Sequence, residues 1–199
     1  PNSSPRYIRM LEKEMTKLQT GKIATISGRY YAMDRDKRWK RTGKAHDAIV
    51  KGKGEKCKNA LKAVAEAYKR KESDEFIAPR IIGDYKGVSK NDFFITFNFR
   101  PDRMRQICRL FEKNRIRFAT MTQYDKNIKA PYAFPPLKTK NFLGKILAGN
   151  RIRQFRIAET EKYAHVTYFL NGMAEKPCRH EERLLIPSLK IATYDLKPE

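Results

Sequence analysis

The chain has 199 residues, of which 40% are hydrophobic and 11% aromatic, a composition typical of a globular protein rather than a disordered one. Lys and Arg total 44 against 22 Asp and Glu, so the net charge is +22, yet basic and acidic residues are interleaved along the chain. No apolar run approaches the roughly 20 residues that a membrane span needs.

Helical periodicity and capping residues predict the helices first. Ser4 is a candidate cap for the first of them, and Gly21, Gly52 and Gly54 mark helix ends. In chain order, helices are predicted over residues 5–20, 39–50, 59–70, 101–113 and 141–149, with another beginning near residue 161.

Short apolar, β-branched runs predict strands between these helices. They cover residues 22–27, 93–99, 117–122, 154–158 and 184–186, and residues 74–82 form an extended stretch broken by Pro79. Alternating strands and helices favour an α/β fold with a mainly parallel sheet flanked by helices. In such a fold, ligands bind beyond the carboxyl ends of the strands.

Two arginines follow the strongest predicted strand. Arg100 and Arg103 lie where that strand ends and a helix begins, and a helix start attracts anions. Guanidinium groups are planar, bidentate donors that suit phosphate or carboxylate. The alternative is that they are surface arginines paired with Asp102 or Asp92, but the strand-to-helix corner favours an anion-binding role.

A second pair of arginines, Arg29 and Arg35, flanks the loop that follows Gly28. Asp34 and Asp36 are candidates for holding these guanidinium groups in place before an anion binds. A loop network of ion pairs with no binding role accounts for the same residues equally well.

Lys162 follows another predicted strand and could neutralise a phosphoryl group as a point charge. The scattered histidines and the cysteines, Cys57, Cys108 and Cys178, predict neither a metal site nor disulfides, which fits a cytoplasmic protein. Neither GxxxxGK[ST] nor GxGxxG occurs, which argues against a nucleotide-dependent kinase or dehydrogenase within these residues.

Four segments, in order along the chain, closely resemble motifs of the cofactor-independent (2,3-bisphosphoglycerate-independent) phosphoglycerate mutases. They are SGRYYAMDRDKRW at 27–39, FNFRPDR at 97–103, RIAETEKYAHVT at 156–167 and IATYDLKPE at 191–199. The resemblance implies interconversion of 3-phosphoglycerate and 2-phosphoglycerate in glycolysis and gluconeogenesis through a phosphoserine intermediate. It implies that Arg29, Arg35, Arg100 and Arg103 bind substrate and that Lys162 is catalytic.

The resemblance also implies a domain organisation. Residues 1–132 would be a substrate-handling transferase domain lacking its N-terminal part, residues 133–140 a hinge, and residues 141–199 part of an alkaline-phosphatase-like α/β domain. Two Mn²⁺ or similar divalent ions and the serine nucleophile are expected, with all their ligands outside this chain, and no 2,3-bisphosphoglycerate is required. We expect a monomeric enzyme that binds phosphoglycerate but neither nucleic acid nor a membrane, and a fragment that is inactive alone.

Two other functions stay open on the sequence. A basic RNA-binding module would account for the charge of +22, although not for arginines at strand ends. A catalytically inactive homologue would retain the four motifs.

Overall fold

Helices and strands alternate along the chain in the computed structural model, which describes residues 1–136, 139–189 and 191. The helices are α1 (Ser4–Lys17), α2 (Arg29–Ala32), α3 (Trp39–Lys51), α4 (Ala60–Lys69), α5 (Pro101–Lys113), α6 (Leu143–Gly149) and α7 (Thr160–Ala164), the last continued by a π-helical turn over His165–Phe169. The strands are β1 (Thr25–Ile26), β2 (Glu55–Cys57), β3 (Arg80–Ile82), β4 (Phe94–Thr96), β5 (Phe118–Thr122), β6 (Tyr132–Phe134), β7 (Gln154–Glu159) and β8 (Glu181–Ile186). Within these residues no helix is both long and apolar enough to cross a membrane.

The chain divides into two compact units, Pro1–Pro135 and Pro136–Glu199. The division falls inside residues 133–140, where a hinge is predicted, although residues 132–134 form strand β6 of the first unit. Residues 137–138, 190 and 192–199 lie outside the described part of the chain, and with them most of the motif at 191–199. The hinge and the two functional domains therefore stay predictions.

The first unit contains two three-stranded sheets. In one, of order β1-β3-β2, β3 is antiparallel to β1 and parallel to β2. In the other, of order β4-β5-β6, all strands are parallel, with Thr120 opposite both Thr96 and Tyr132. The predicted α/β class with mainly parallel strands is confirmed.

Helix α5 forms the main core of the first unit. Its residues Met104, Ile107 and Phe111 are buried against Ala45 of α3 and Phe118 of β5. Because the ring of Phe111 also stacks on Phe94, with centroids 5.3 Å apart, α5 is fixed on one face of the β4-β5-β6 sheet. This packing fixes the position of the start of α5, and with it Arg100 and Arg103, relative to the carboxyl end of β4.

In the second unit β7 and β8 are parallel, with Arg156 opposite Arg183. The carboxylate of Glu181, at the start of β8, has no exposed surface and lies 2.6 Å from Arg183 Nε and 3.7 Å from Arg156 Nε. Asn171 donates to the same carboxylate at 2.8 Å. This buried polar network joins the two strands to the turn that follows α7.

Strand β2 was not predicted, because Glu55, Lys56 and Cys57 have neither alternation nor β-branched residues. Its position depends on Arg80 of β3, whose side chain is fully buried. The Arg80 guanidinium lies 3.6 Å from carboxylate oxygens of Glu55, Glu66 and Glu72. A long-range ion-pair cluster therefore fixes this edge strand, and local sequence patterns do not reveal it.

The predicted cap of α1 was wrong. Ser4 is the first helical residue, and the side chain of the N-cap residue Ser3 makes no capping bond. The cap is instead the carboxylate of Asp74, which is 70 residues from Ser4 in the sequence. It accepts hydrogen bonds from the backbone N–H groups of Ser3 at 2.8 Å and Ser4 at 3.2 Å. Residues 74–82 are accordingly extended only over Arg80–Ile82, since the start of the stretch turns to bring Asp74 to the helix.

We expect Asp74→Ala to lower the free energy of unfolding by about 1 kcal/mol at pH 6, the usual effect of losing a helix cap. Burial raises the pKa of Asp74, but hydrogen bonds from Ser4, Tyr68 and Ser3 lower it to about 2 overall. A depressed carboxylate pKa stabilises the fold above the unfolded value of 3.8 and loses this effect as the pH falls toward 2.

Urea unfolding between pH 2.5 and pH 6 measures the effect, which should shrink as the pH falls. Asp84→Ala is the matched control, because Asp84 forms an exposed ion pair with Lys22 and its loss should change stability by less than about 0.5 kcal/mol. Equal losses in the two variants, or a loss for Asp74→Ala that is independent of pH, would contradict the prediction.

Candidate anion-binding site

The loop that carries Arg29 is held by a close backbone approach at Gly28. The N–H of Gly28 donates to the carbonyl of Ile77 at 2.8 Å, and that of Tyr30 donates to the carbonyl of Glu75 at 3.0 Å. A Cβ at position 28 would lie 2.2 Å from the Glu75 oxygen, so only glycine fits. Arg29 therefore begins the short helix α2 directly after β1.

The acid that holds Arg29 is Glu75, and not Asp34 or Asp36 as the sequence suggested. Arg29 Nε lies 3.2 Å from Glu75 Oε1. Asp34 instead turns inward, 5% exposed, and accepts the backbone N–H groups of Asp36 at 3.2 Å and Arg38 at 2.9 Å. Its function is to shape the loop.

Gln106 of α5 completes this arrangement from the other side. Its amide nitrogen donates to Asp34 at 2.8 Å, and its amide oxygen accepts the N–H of Lys37 at 2.6 Å. Lys37 has a left-handed backbone with φ of 58°, an unfavourable state for a side chain that tertiary contacts must stabilise. The loop and α5 are thus joined by hydrogen bonds through one buried side chain.

The carboxylate of Asp102 lies between Arg35 and Arg100. Arg35 Nη1 is 3.1 Å from one of its oxygens, and Arg100 Nε is 2.8 Å from the other. Burial raises the pKa of Asp102, but hydrogen bonds from Arg100 and Arg35 outweigh it and lower the pKa. The carboxylate therefore stays charged and orients both guanidinium groups.

Arg103 joins the same group of charges. Its Nη1 donates to the carbonyl of Met33 at 3.0 Å, which ties the start of α5 to the end of α2. Burial lowers the pKa of Arg103, and the neighbouring charges of Arg35, Arg29 and Arg100 lower it further. The other three predicted arginines therefore all lie within electrostatic range of Arg103.

Some of these contacts could have been found in the sequence. Asp102 and Gln106 are four residues apart, so they project from one side of a helix that begins at Pro101. We call Arg29, Arg35, Arg100 and Arg103 the arginine cluster. The pairing of Arg100 with Asp102, considered as an alternative to anion binding, is present within this cluster. Glu75 gave no local signal, because its contact with Arg29 depends on a long-range turn.

Lys162 belongs to the second unit. It lies exposed in α7, directly after the parallel strand β7, which is the expected place for a ligand-binding residue in this kind of fold.

One group in the described residues has the donors of a metal site, namely Glu55, Cys57 and Glu66, with ligand atoms within 4.8 Å of one another. The Arg80 guanidinium lies 3.6 Å from the carboxylates of both glutamates. Because a cation already occupies this group, it does not fit a divalent metal ion.

The fold and the site define an α/β protein in which arginines from the segment after β1 and from the start of α5 lie close together. Residues 1–126 match the family model described as the N-terminus of BPG-independent PGAM. The chain belongs to this family, the 2,3-bisphosphoglycerate-independent phosphoglycerate mutases, and the resemblance seen in its motifs is confirmed.

Curated relatives extend the match over the whole chain. It is 50% identical over 214 residues to the 2,3-bisphosphoglycerate-independent phosphoglycerate mutase of Clostridium tetani, covering 100% of this chain and 42% of that protein. It is 51% identical over 199 residues to that of Methanococcoides burtonii, covering 92% and 38%. The chain thus spans about two fifths of the length of these relatives.

A solved structure shows the same fold. The phosphoglycerate mutase of Leishmania mexicana, determined at low cobalt concentration, superposes with a TM-score of 0.85 and 27% identity. The similarity covers 98% of this chain and 41% of that one.

We expect Asp102→Asn to lower the free energy of unfolding by about 3 kcal/mol, because the largely buried guanidinium group of Arg35 loses the negative charge of the Asp102 carboxylate beside it. Urea unfolding at pH 7 is the measurement. Glu182→Gln, which breaks the exposed pair with Arg153 at 3.1 Å, is the control and should change stability by less than about 1 kcal/mol. Comparable losses in both variants would show that Asp102 does not organise the cluster.

Proposed function

We propose that this chain is the substrate-binding part of a phosphoglycerate mutase that interconverts 3-phosphoglycerate and 2-phosphoglycerate. The observation that carries the proposal is the grouping of Arg29, Arg35, Arg100 and Arg103. Asp102 lies between Arg35 and Arg100, and the like charges of Arg35, Arg29 and Arg100 add to burial in lowering the pKa of Arg103. A phosphoglycerate carries about −2.5 to −3 at neutral pH from its phosphate and carboxylate, opposite in sign to these guanidinium groups.

The arginines divide into two groups by their positions. Arg29 and Arg35, from the loop after β1, would bind the glycerate part of the substrate. Arg100 and Arg103, at the start of α5, would bind the phosphate, where the positive end of the helix dipole adds to their charge. An anion placed here also relieves the mutual repulsion that lowers the pKa of Arg103.

The reaction would proceed as two phosphoryl transfers through a phosphoserine, which replaces one difficult step with two easier ones. Lys162 would neutralise charge on the phosphoryl group, and the arginines would orient the glycerate for each transfer. The serine and a pair of divalent ions, Mn²⁺ in our proposal, would come from parts of the full-length enzyme that this chain does not span. No 2,3-bisphosphoglycerate is required, in agreement with the family's name.

We further propose a cytoplasmic, monomeric enzyme that acts in glycolysis and gluconeogenesis and binds neither nucleic acid nor membranes. The cysteines in the structure are free thiols, as expected in a reducing compartment. The RNA-binding alternative predicts saturable binding that weakens steeply with salt. The alternative of an inactive homologue predicts that the chain, when combined with the remaining segments of a mutase, binds phosphoglycerate but shows no turnover.

The activity can be tested in a chimera in which this chain replaces the matched segment of the Clostridium tetani enzyme. We expect the chimera to be active with Mn²⁺, the isolated chain to be inactive, and Arg103→Ala to lower kcat of the chimera by about 100-fold or more. Arg109→Ala is the matched control, since Arg109 lies on the same helix but pairs with Asp125 away from the cluster, and it should retain near-normal turnover.

Circular dichroism of each variant separates lost function from lost folding. Near-normal turnover of a folded Arg103→Ala chimera would disprove the role of Arg103 in binding the phosphate. Turnover by the isolated chain would disprove the proposal that the serine and the divalent ions come from parts of the enzyme that this chain does not span. Phosphoglycerate binding by a folded chimera that shows no turnover would favour the inactive homologue.

A further inference from the structure

The helix that carries Lys162 is too short to be stable by itself. Helix α7 spans only Thr160–Ala164, and none of its residues is fully buried. Isolated helices of this length do not persist in water, and in proteins most of the stability of a helix comes from packing of its apolar face. The direction of α7, and with it that of Lys162, must therefore depend largely on hydrogen bonds with neighbouring elements.

Hydrogen bonds to the turn that follows α7 hold its far end. Arg156 of β7 is 7% exposed, and its Nη1 donates to the carbonyl of Val166 at 2.8 Å. The hydroxyl of Thr167 donates to the carbonyl of Tyr163 at 2.6 Å. Neither bond involves residues 159–161, where the chain leaves β7 and enters the helix, so the start of α7 needs partners of its own.

The start of α7 is bound by Ser188, which follows the end of β8. Strands β7 and β8 are parallel, with Glu159 opposite Ile186, so the two strands end side by side. The Ser188 hydroxyl accepts the backbone N–H of Glu161 at 3.2 Å and donates to the carboxylate of Glu159 at 3.2 Å. One hydroxyl group therefore joins the residues on either side of Thr160.

Thr160 binds the same segment in return. Its hydroxyl accepts the backbone N–H of Ser188 at 3.1 Å and donates to the carbonyl of Ile186 at 3.5 Å. Each of the two hydroxyl groups thus acts both as donor and as acceptor. We call Thr160 and Ser188 the hydroxyl clasp. The clasp joins the chain after β8 to the residues directly before Lys162.

We infer that Ser188 is a positioning residue for the mutase reaction, which, together with Thr160, holds the Lys162 ammonium in the direction needed to neutralise the phosphoryl group. The inference rests on the role proposed for Lys162. A lysine is a point charge on a long, flexible stem, so its accuracy depends on the backbone that carries it. Small displacements of a group that acts on the reacting atoms can remove much of the rate.

The clasp can be tested in the Clostridium tetani chimera. We expect Ser188→Ala to lower kcat by about 10-fold. The KM for phosphoglycerate should change by less than about 3-fold, because the arginine cluster that binds the substrate is unaltered. Asn150→Ala is the control: it removes a side-chain bond of 2.9 Å to the Ile146 carbonyl at the end of α6, in the same unit, and should leave kcat unchanged. Normal kcat in a folded Ser188→Ala chimera would overturn the inference.

Thr160 provides a matched pair of variants. Thr160→Val keeps the size of the side chain but removes the hydroxyl, and it should lower kcat by about 10-fold. Thr160→Ser keeps the hydroxyl without adding an atom, and its kcat should stay within about 2-fold of the parent chimera. Equal kcat values for the two variants would contradict a role for the hydroxyl.

A double-mutant cycle tests whether Ser188 acts through Lys162. We expect Lys162→Ala to lower kcat by about 100-fold. In that background Ser188→Ala should lower it by less than about 2-fold more, because no ammonium remains to be positioned. A further 10-fold loss would mean that Ser188 acts independently of Lys162 and would overturn the inference. Near-normal turnover of Lys162→Ala would instead disprove the proposed role of Lys162, and the inference with it.

Hydrogen exchange examines the clasp without reference to activity. In the chimera, the amide of Glu161 should exchange at least about 10-fold faster after Ser188→Ala, because its acceptor is lost. The amide of Ser188 should respond in the same way to Thr160→Val and not to Thr160→Ser. Unchanged exchange at Glu161 in the Ser188→Ala chimera would overturn the inference.

Discussion

The carboxylate of Asp102 is the contact on which the site depends. Like charges repel, and guanidinium groups brought to the ends of the strands would turn away from one another without an acid between them. Asp102 lies within 3.1 Å of Arg35 and 2.8 Å of Arg100, so it holds one arginine from each half of the site. It neutralises only part of the charge, and the cluster keeps its attraction for an anion.

The surrounding contacts keep this arrangement rigid. Gly28 lets the chain pass against the backbone of Glu75, and Asp34 closes the following loop by accepting its N–H groups. Gln106 then joins that loop to α5. Since much of the cost of binding is the ordering of side chains, a site ordered in advance can use more of its interaction energy for affinity.

The sequence predicted what depends on local patterns and missed what depends on distant partners. Helix α3 and helix α5 appear close to their predicted bounds, because periodicity and a start at Pro101 or an end at Gly52 are local signals. The strand predicted over residues 93–99 is paired only over Phe94–Thr96, since its flanks lack neighbours in the described residues.

The four arginines were found because they lie in the two segments that follow predicted strands, and the structure places Arg29, Arg35 and Arg100 near Arg103. Two of their contacts were missed, because those of Arg29 with Glu75 and of Arg35 with Asp102 span 46 and 67 residues, whereas the pairing of Arg100 with Asp102, two residues away, was considered and is present. Strand β2 was missed for the same reason, since the buried Arg80 that fixes it belongs to another strand.

The Arg80 cluster also constrains how the sequence can change over evolutionary time. One guanidinium serves glutamates from β2, from α4 and from the turn after α4. Loss of Arg80 leaves three carboxylates without the cation that lies between them, whereas joint replacement of all four residues by apolar residues of similar volume can be nearly neutral. Positions 55, 66, 72 and 80 should therefore covary among homologues, changing as a set more readily than one at a time.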